Sequence, residues 1–293
     1  MSSSDIYDEL EPLLDGRELS RPWVGEAYQP DYELLTTLLS YVVSSGAVQA
    51  SGKFAKAVDF WVAHELRRAG FDPDAVWPRA QRPRVLTREL AQLVDRYVPA
   101  TGRAAIAEFL AQHSAAKALA PKDAKVLGRV YLKQADVVMA HWSRGAELLI
   151  STKSMLSSYG KNLRNRFEES YGDAANLRGR HPLCALGFLF VVRSDIPAGD
   201  LNFLWDMLGK LTGSAEGYDA VCLLVVDWDE AGQVVLNSEK VPSALAAATF
   251  FAGLVEAVLE RTPTYLHVAA RENREHRDLS LDEGEVEDDE SED

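Results

Sequence analysis

The chain has 293 residues, 47% of them apolar and 26% charged, and Cys184 and Cys222 are its only thiols. That composition excludes a disulfide-stapled miniature scaffold, a collagen-like chain and a wholly disordered one, and leaves room for one sizeable core or two modest ones. A net charge of −14 argues at first against a nucleic-acid partner, but residues 271–293 hold 12 Asp and Glu against 3 Arg, so most of the acid excess lies in that run. Basic stretches survive elsewhere: Arg79, Arg82, Arg84 and Arg88 have no acid among them, and residues 153–180 carry six basic groups against Glu168, Glu169 and Asp173. No apolar run reaches the roughly 18 residues that a membrane helix needs, and MSSSDIYDELEP lacks the features of a signal peptide; a cytoplasmic protein with no membrane partner is expected.

In chain order, Leu34, Leu35, Leu38, Leu39 and Val42 predict a helix over 31–45, and Val58, Trp61, Val62 and Leu66 a second over 54–69 that Gly70 stops. Trp61 and Phe54 read as core residues. Pro78 and Pro83 mark a connector, after which Thr87 is expected to cap a helix reaching Val98. Thr101 is expected to cap another, containing Ile106, Phe109 and Leu110. Strands are expected at 127–132, 135–141, 146–152, 184–193 and 218–228; the last two are nearly unbroken apolar runs, which belong in a sheet covered on both faces. Helices are expected at 159–172, 199–211 and 243–261. This order predicts an α/β fold, a mixed sheet flanked by helices, with residues 1–100 as a helical N-terminal region, 101–270 as the core and 271–293 as a disordered acidic tail.

Familiar nucleotide and hydrolase signatures are missing. Leu204 stands where a phosphate-binding loop ending at Gly209-Lys210 would need glycine, and no G-x-S-x-G, His-x-x-x-His or dinucleotide fingerprint occurs. The informative stretch is 136–169. Asp136 opens one strand, and along the next Glu147, Leu149, Ser151 and Lys153 share a face while Leu148, Ile150 and Thr152 take the other. A carboxylate that can hold Mg²⁺ beside an ammonium that can neutralise developing charge is what phosphodiester hydrolysis requires.

Asp136 followed by Ser151-x-Lys153 resembles the PD-(D/E)xK nuclease superfamily, the fold of many type II restriction endonucleases, over roughly the C-terminal two-thirds of the chain. Ala135 replaces the eponymous proline, and Ser151 occupies the position of the second acid. The pattern is similar to a variant whose glutamate has migrated to the following helix, where Glu168 and Glu169 lie 15 and 16 residues after Lys153. Spacing favours Glu168 and helix periodicity Glu169. That periodicity places Asn162, Asn165, Arg166 and Glu169 on a polar side and Leu163, Phe167 and Tyr171 on the buried one. Glu147 is a more distant candidate, about 20 Å along the strand from Lys153.

The resemblance implies a restriction-endonuclease-like fold and a Mg²⁺-dependent endonuclease for double-stranded DNA, as found in restriction-modification and phage defence. Asp136 and Glu168 or Glu169 would hold the metal, Ser151 would support it or its water, Lys153 would stabilise the attacking hydroxide, and two subunits would pair to cut both strands. Lys161, Asn162, Asn165 and Arg166 are candidate phosphate contacts at a helix start. The Arg79–Arg88 cluster reads as a soluble linker or a further DNA contact. The alternative is a catalytically inactive DNA-binding or assembly subunit on the same fold.

Overall fold

The computed structural model describes residues 5–46, 52–112, 114–212 and 215–275. Its centre is a six-stranded mixed sheet in the order β10-β9-β8-β7-β6-β3. The strands are β3 (Val76–Trp77), β6 (Val137–His141), β7 (Gly145–Met155), β8 (Ala185–Arg193), β9 (Ala220–Trp228) and β10 (Val234–Leu236). Two small hairpins lie apart from it, β1 (Trp23–Val24) with β2 (Ala27–Tyr28) and β4 (Lys125–Leu127) with β5 (Leu132–Gln134). Strands β3, β6 and β7 run antiparallel, β7, β8 and β9 parallel, and β10 returns antiparallel to β9.

The apolar runs of β8 and β9 serve two cores because alternate side chains leave opposite faces. Leu189 and Val191 of β8, with Cys222, Leu224 and Val226 of β9, face the first core. Leu186, Phe188, Phe190 and Val192, with Val221, Leu223 and Val225, face the second. Over the first face pack α1 (Ile6–Leu10), α2 (Tyr32–Ser44), α3 (Lys53–Arg68) and α8 (Ala247–Arg261), joined by α9 (Val268–Glu275). Over the second lie α6 (Lys161–Arg178) and α7 (Ala198–Leu211). Helices α4 (Arg88–Gln92) and α5 (Ala100–Gln112) belong to a small satellite core. Residues on both sides of position 100 therefore share one core: Leu38 and Trp61 pack in the same cluster as Leu189 and Phe251. Fully burying a side chain of this size contributes about 1.5–3 kcal/mol.

Local chemistry explains the boundaries. Asp31 caps α2 by accepting the Leu34 N–H at 2.8 Å. Gly70 ends α3 at φ +101°, and a Cβ there would lie 2.8 Å from the backbone of Ala269 and Ala270, so only glycine admits the start of α9. Trp61 and Phe54 are buried, as their periodicity predicts.

Several expectations are corrected. No strand spans 127–132; a turn closed by Gly128 N–H donating to the Tyr131 carbonyl at 3.0 Å joins β4 to β5, and the third antiparallel strand of the main sheet is the upstream β3. Thr87 makes no side-chain cap, and after α4 the chain continues as a wider turn over Leu93–Tyr97. Thr101 lies inside α5, which starts at Ala100, and Phe109 is exposed. Helix α6 runs on to Arg178, and the last long helix begins at Ala247 after a short turn at Ser243–Leu245. Of the acidic tail expected from 271, residues through Glu275 belong to α9; 276–293 lie outside the described residues. Both cysteines are buried, and burial pushes the Cys184 thiol up to about 12 and that of Cys222 higher still. No helix among the described residues is long and apolar enough to cross a membrane.

Candidate functional site

Strand β7 sits where the sheet changes character, antiparallel to β6 on one side and parallel to β8 on the other. Ligands of open α/β sheets bind beyond the carboxyl ends of parallel strands, and Lys153 lies near that end of β7. The register that sets Val137 against Ile150 carries Asp136 opposite Ser151. The Asp136 carboxylate accepts the Thr152 N–H at 2.9 Å and the Ser151 hydroxyl at 3.3 Å, and Lys153 Nζ lies 3.7 Å from it. Lys153 Nζ also donates to Ser151 Oγ at 3.4 Å and to the Thr152 carbonyl at 3.1 Å. The three residues singled out in the sequence are thus brought together by pairing and pleat alone. Both ends of the ion pair keep some access to solvent, with side chains 25% and 19% exposed for Lys153 and Asp136.

Thr152 leaves the opposite face of β7, and its hydroxyl donates to the carboxylate of Asp59 on α3. Asp59 is buried among the apolar residues of that helix. Burial drives its carboxyl well above the usual range and the nearby charge of Asp136 adds to this, while the Thr152 hydrogen bond, Lys153 and Lys56 pull the other way. Asp59, Asp123 and Asp136 line one cleft of about 200 Å³, together with Lys56, Lys122, Arg84 and Tyr7. The sequence reading missed Asp59. The signal was a carboxylate on the buried face of α3, one turn after Lys56 and with no arginine at helical spacing from it. Glu65, one and a half turns further along α3, is equally buried but has Arg68 at 2.8 Å and accepts from the Tyr28 hydroxyl and the Asp31 N–H.

The other candidates lie elsewhere. Glu168 and Glu169 are exposed on α6, Glu169 paired with Arg166 at 2.7 Å, and among the described residues no hydrogen bond or ion pair joins either to Asp136. Lys161, Asn162, Asn165 and Arg166 share that exposed surface, and Asn162 Nδ2 donates to the Ser158 carbonyl at 3.0 Å. Five residues separate the end of β7 from the start of α6, so the helix N-terminus rises from the same sheet edge as Lys153. Tyr171, expected on the buried side of α6, is 54% exposed, because the stripe of Leu163, Phe167, Ala174 and Leu177 passes through Ser170 instead.

Glu147 lies at the far end of β7, bound to Arg144 at 2.7 Å and facing His267 at 3.4 Å. Burial pushes its carboxyl up, but these two partners outweigh it and hold the group at about 2. The arginines of the connector are also engaged. Arg79 pairs with Asp95 at 2.6 Å and Asp74 at 3.4 Å, Arg84 with Glu11 at 2.7 Å and Asp8 at 2.9 Å, Arg82 with Asp8, and Arg88 with Asp72 at 2.5 Å.

Whether these residues suit a divalent cation follows from the donor set. Among the described residues no group of three or more His, Cys, Asp or Glu is placed to hold a metal ion. Three carboxylates, those of Asp59, Asp123 and Asp136, line one cleft, and the charge of Asp136 adds to burial in disfavouring that of Asp59; a hard cation such as Mg²⁺ takes one or two protein oxygens and fills its other positions with water and phosphate. Comparison with known proteins gave no matching family model, no matching curated protein and no matching solved structure.

Proposed function

We propose that this chain is a Mg²⁺-dependent endonuclease of restriction type, acting on double-stranded DNA through a restriction-endonuclease-like core. The observation that carries the reading is the meeting of Asp136, Ser151 and Lys153 on paired strands, with Asp59 lining a cleft that Asp136 also lines. The order α3, β3, β6, β7, α6, β8, α7, β9 supports it, being helix, three antiparallel strands, helix, strand, helix, strand. In this reading the first helix and strand are α3 and β3, with residues 78–136 as an insertion between the first and second strands.

Asp59 and Asp136 would hold the metal, which when bound supplies Lewis-acid stabilisation of charge on the phosphate. Asp136 is oriented for this by the Thr152 N–H and the Ser151 hydroxyl, so Ser151 contributes alignment where a second acid would contribute charge. Lys153, held by Ser151 Oγ and the Thr152 carbonyl, would in this reading stabilise the attacking water and the charge developing on the phosphoryl oxygens. Lys56 and Lys122 at the cleft wall, with Lys161 on the following helix, would receive the DNA backbone. Cutting both strands would then call for two such subunits, a pairing that sedimentation with DNA present tests.

The decisive experiment incubates plasmid and phage DNA with the protein and Mg²⁺ or Mn²⁺, comparing wild type with Lys153→Ala, Asp136→Asn and Asp59→Asn. Discrete fragments from wild type and none from the three variants are expected. Intact DNA on many sequences, from folded protein that still retards DNA in a gel, would overturn the catalytic reading in favour of a non-cutting DNA-binding subunit.

A further inference from the structure

Away from the cleft, a second pocket of about 340 Å³ opens between the chain near Leu14–Leu19, the last turns of α3 and the stretch 73–81. It shares no lining residue with the Asp59–Asp136 cleft. Its charged residues are Arg17, Arg67, Arg79, Asp74 and Asp95, with His64 at the wall. Arg17 is paired with Asp31 and Glu33, and Arg79 with Asp74 and Asp95. Arg67 differs. It is 6% exposed, its Nη2 donates to the carbonyls of Val76 at 3.1 Å and Pro78 at 2.5 Å, and its Nε has no hydrogen-bond partner. Among the described residues no carboxylate pairs with it.

A buried guanidinium without a counter-ion is costly, and it is the group that an incoming anion relieves. We propose that this pocket binds a small organic monoanion, a carboxylate with an apolar body, whose head group pairs with Arg67. Three features fix that chemistry. Arg17 and Arg79 are each matched by two carboxylates, which leaves Arg67 as the unmatched positive charge of the lining among the described residues. His64 adds none near neutrality, because burial and the charges of Arg67 and Arg68 hold its imidazole down at about 4. Leu14, Pro73 and Ala80 supply apolar walls for a carbon skeleton. Burial and then the charge of Arg79 bring the Arg67 guanidinium down to about 9, and the nearby charge of Asp74 offsets this only in part. A carboxylate matches a guanidinium in plane and in charge.

The probe is benzoate, with benzamide as its uncharged isostere and inorganic phosphate as the more highly charged anion, titrated into the full chain by calorimetry. Saturable benzoate binding is expected, with benzamide and phosphate at least about tenfold weaker. Benzoate at about 100 times its Kd is expected to raise Tm by roughly 5 °C. Arg67→Met should abolish binding, but this residue also holds the carbonyls of Val76 and Pro78 and its loss could unfold the protein. Ala80→Trp therefore fills the pocket with Arg67 in place; it should melt like wild type without ligand and bind benzoate at least about tenfold more weakly. No saturable binding at about 10 mM benzoate, equal binding of benzamide, tighter binding of phosphate, or undiminished binding by folded Ala80→Trp would each overturn the proposal.

Discussion

The two ends of β7 hold buried carboxylates with opposite fates. At the start of the strand, Glu147 lies between Arg144 and His267, and its charge is favoured down to about pH 2. Nearby Asp219 is likewise ionised below its ordinary range despite burial, because Arg261 at 2.5 Å and Arg178 at 2.7 Å bind it and the Leu186 N–H donates to it. At the other end Asp59 is buried with, among the described residues, only a threonine hydroxyl in hydrogen-bond contact, and its charge is disfavoured. The same sheet thus satisfies one set of acids and leaves the other wanting a cation. Protein groups that only stabilise a fold resemble the first end; groups kept ready for a ligand resemble the second.

The largest expected effect is at the Asp59 end. Lys153→Ala should lower the cleavage rate by about 10² to 10³-fold, the usual cost of one preorganised electrostatic contact, with Tm little changed; gel assays on matched folded protein check it. If Lys153→Ala cuts at the wild-type rate, the functional half of the comparison collapses. At the Glu147 end the effect should fall on stability instead. Glu147→Ala leaves half-buried His267 and exposed Arg144 without their acid and should cost about 1–2 kcal/mol in urea unfolding, while the folded fraction retains its cleavage rate.

Asp59→Asn sharpens the contrast further, because it should stabilise the protein by about 1 kcal/mol at pH 7 while removing cleavage. The native carboxyl binds its proton more tightly than the unfolded one, so wild-type stability falls as pH rises above the ordinary Asp value of 3.8. The variant should lack that slope. Glu147 has the opposite sign: its stabilisation is present above the ordinary Glu value of 4.5 and is lost as pH falls toward about 2. Chemical denaturation at stepped pH separates the two. The smallest effect is expected on α6, where Glu169→Ala breaks an exposed pair with Arg166 and should change stability by less than about 0.5 kcal/mol. A loss of cleavage in Glu168→Ala or Glu169→Ala would instead return the second acid to that helix.

Much of this layout was legible in the sequence, for reasons that differ between elements. The apolar runs of β8 and β9 announce strands buried on both faces, and the spacing in α2 and α3 announces helices with one side on a core. Asp136, Ser151 and Lys153 could be found because a two-residue period and one hairpin bring them together locally. Asp59 could not, since it reaches the site across 93 residues of chain, and only the packing of α3 on the sheet makes its side chain a neighbour of Thr152. The two-residue strand β3 is hidden for a similar reason: Val76 and Trp77 carry no periodicity of their own and become a strand only by pairing with Met139 and Val138. The connector arginines show the converse. They read as a positive patch until the fold sets Asp8, Glu11, Asp72, Asp74 and Asp95 against them.

Thiolate, not thiol, reacts with alkylating reagents, and both natural cysteines are held as thiols inside the cores. Maleimide dyes should therefore pass over the folded wild-type chain and label it only on unfolding. A single cysteine placed at exposed Lys161 or Trp142 would then take a fluorophore selectively without replacing Cys184 or Cys222. Labelled in this way, with Trp142 preferred because Lys161 is a proposed DNA contact, the protein allows the proposed binding of DNA to be tested by distance measurements to a labelled DNA end.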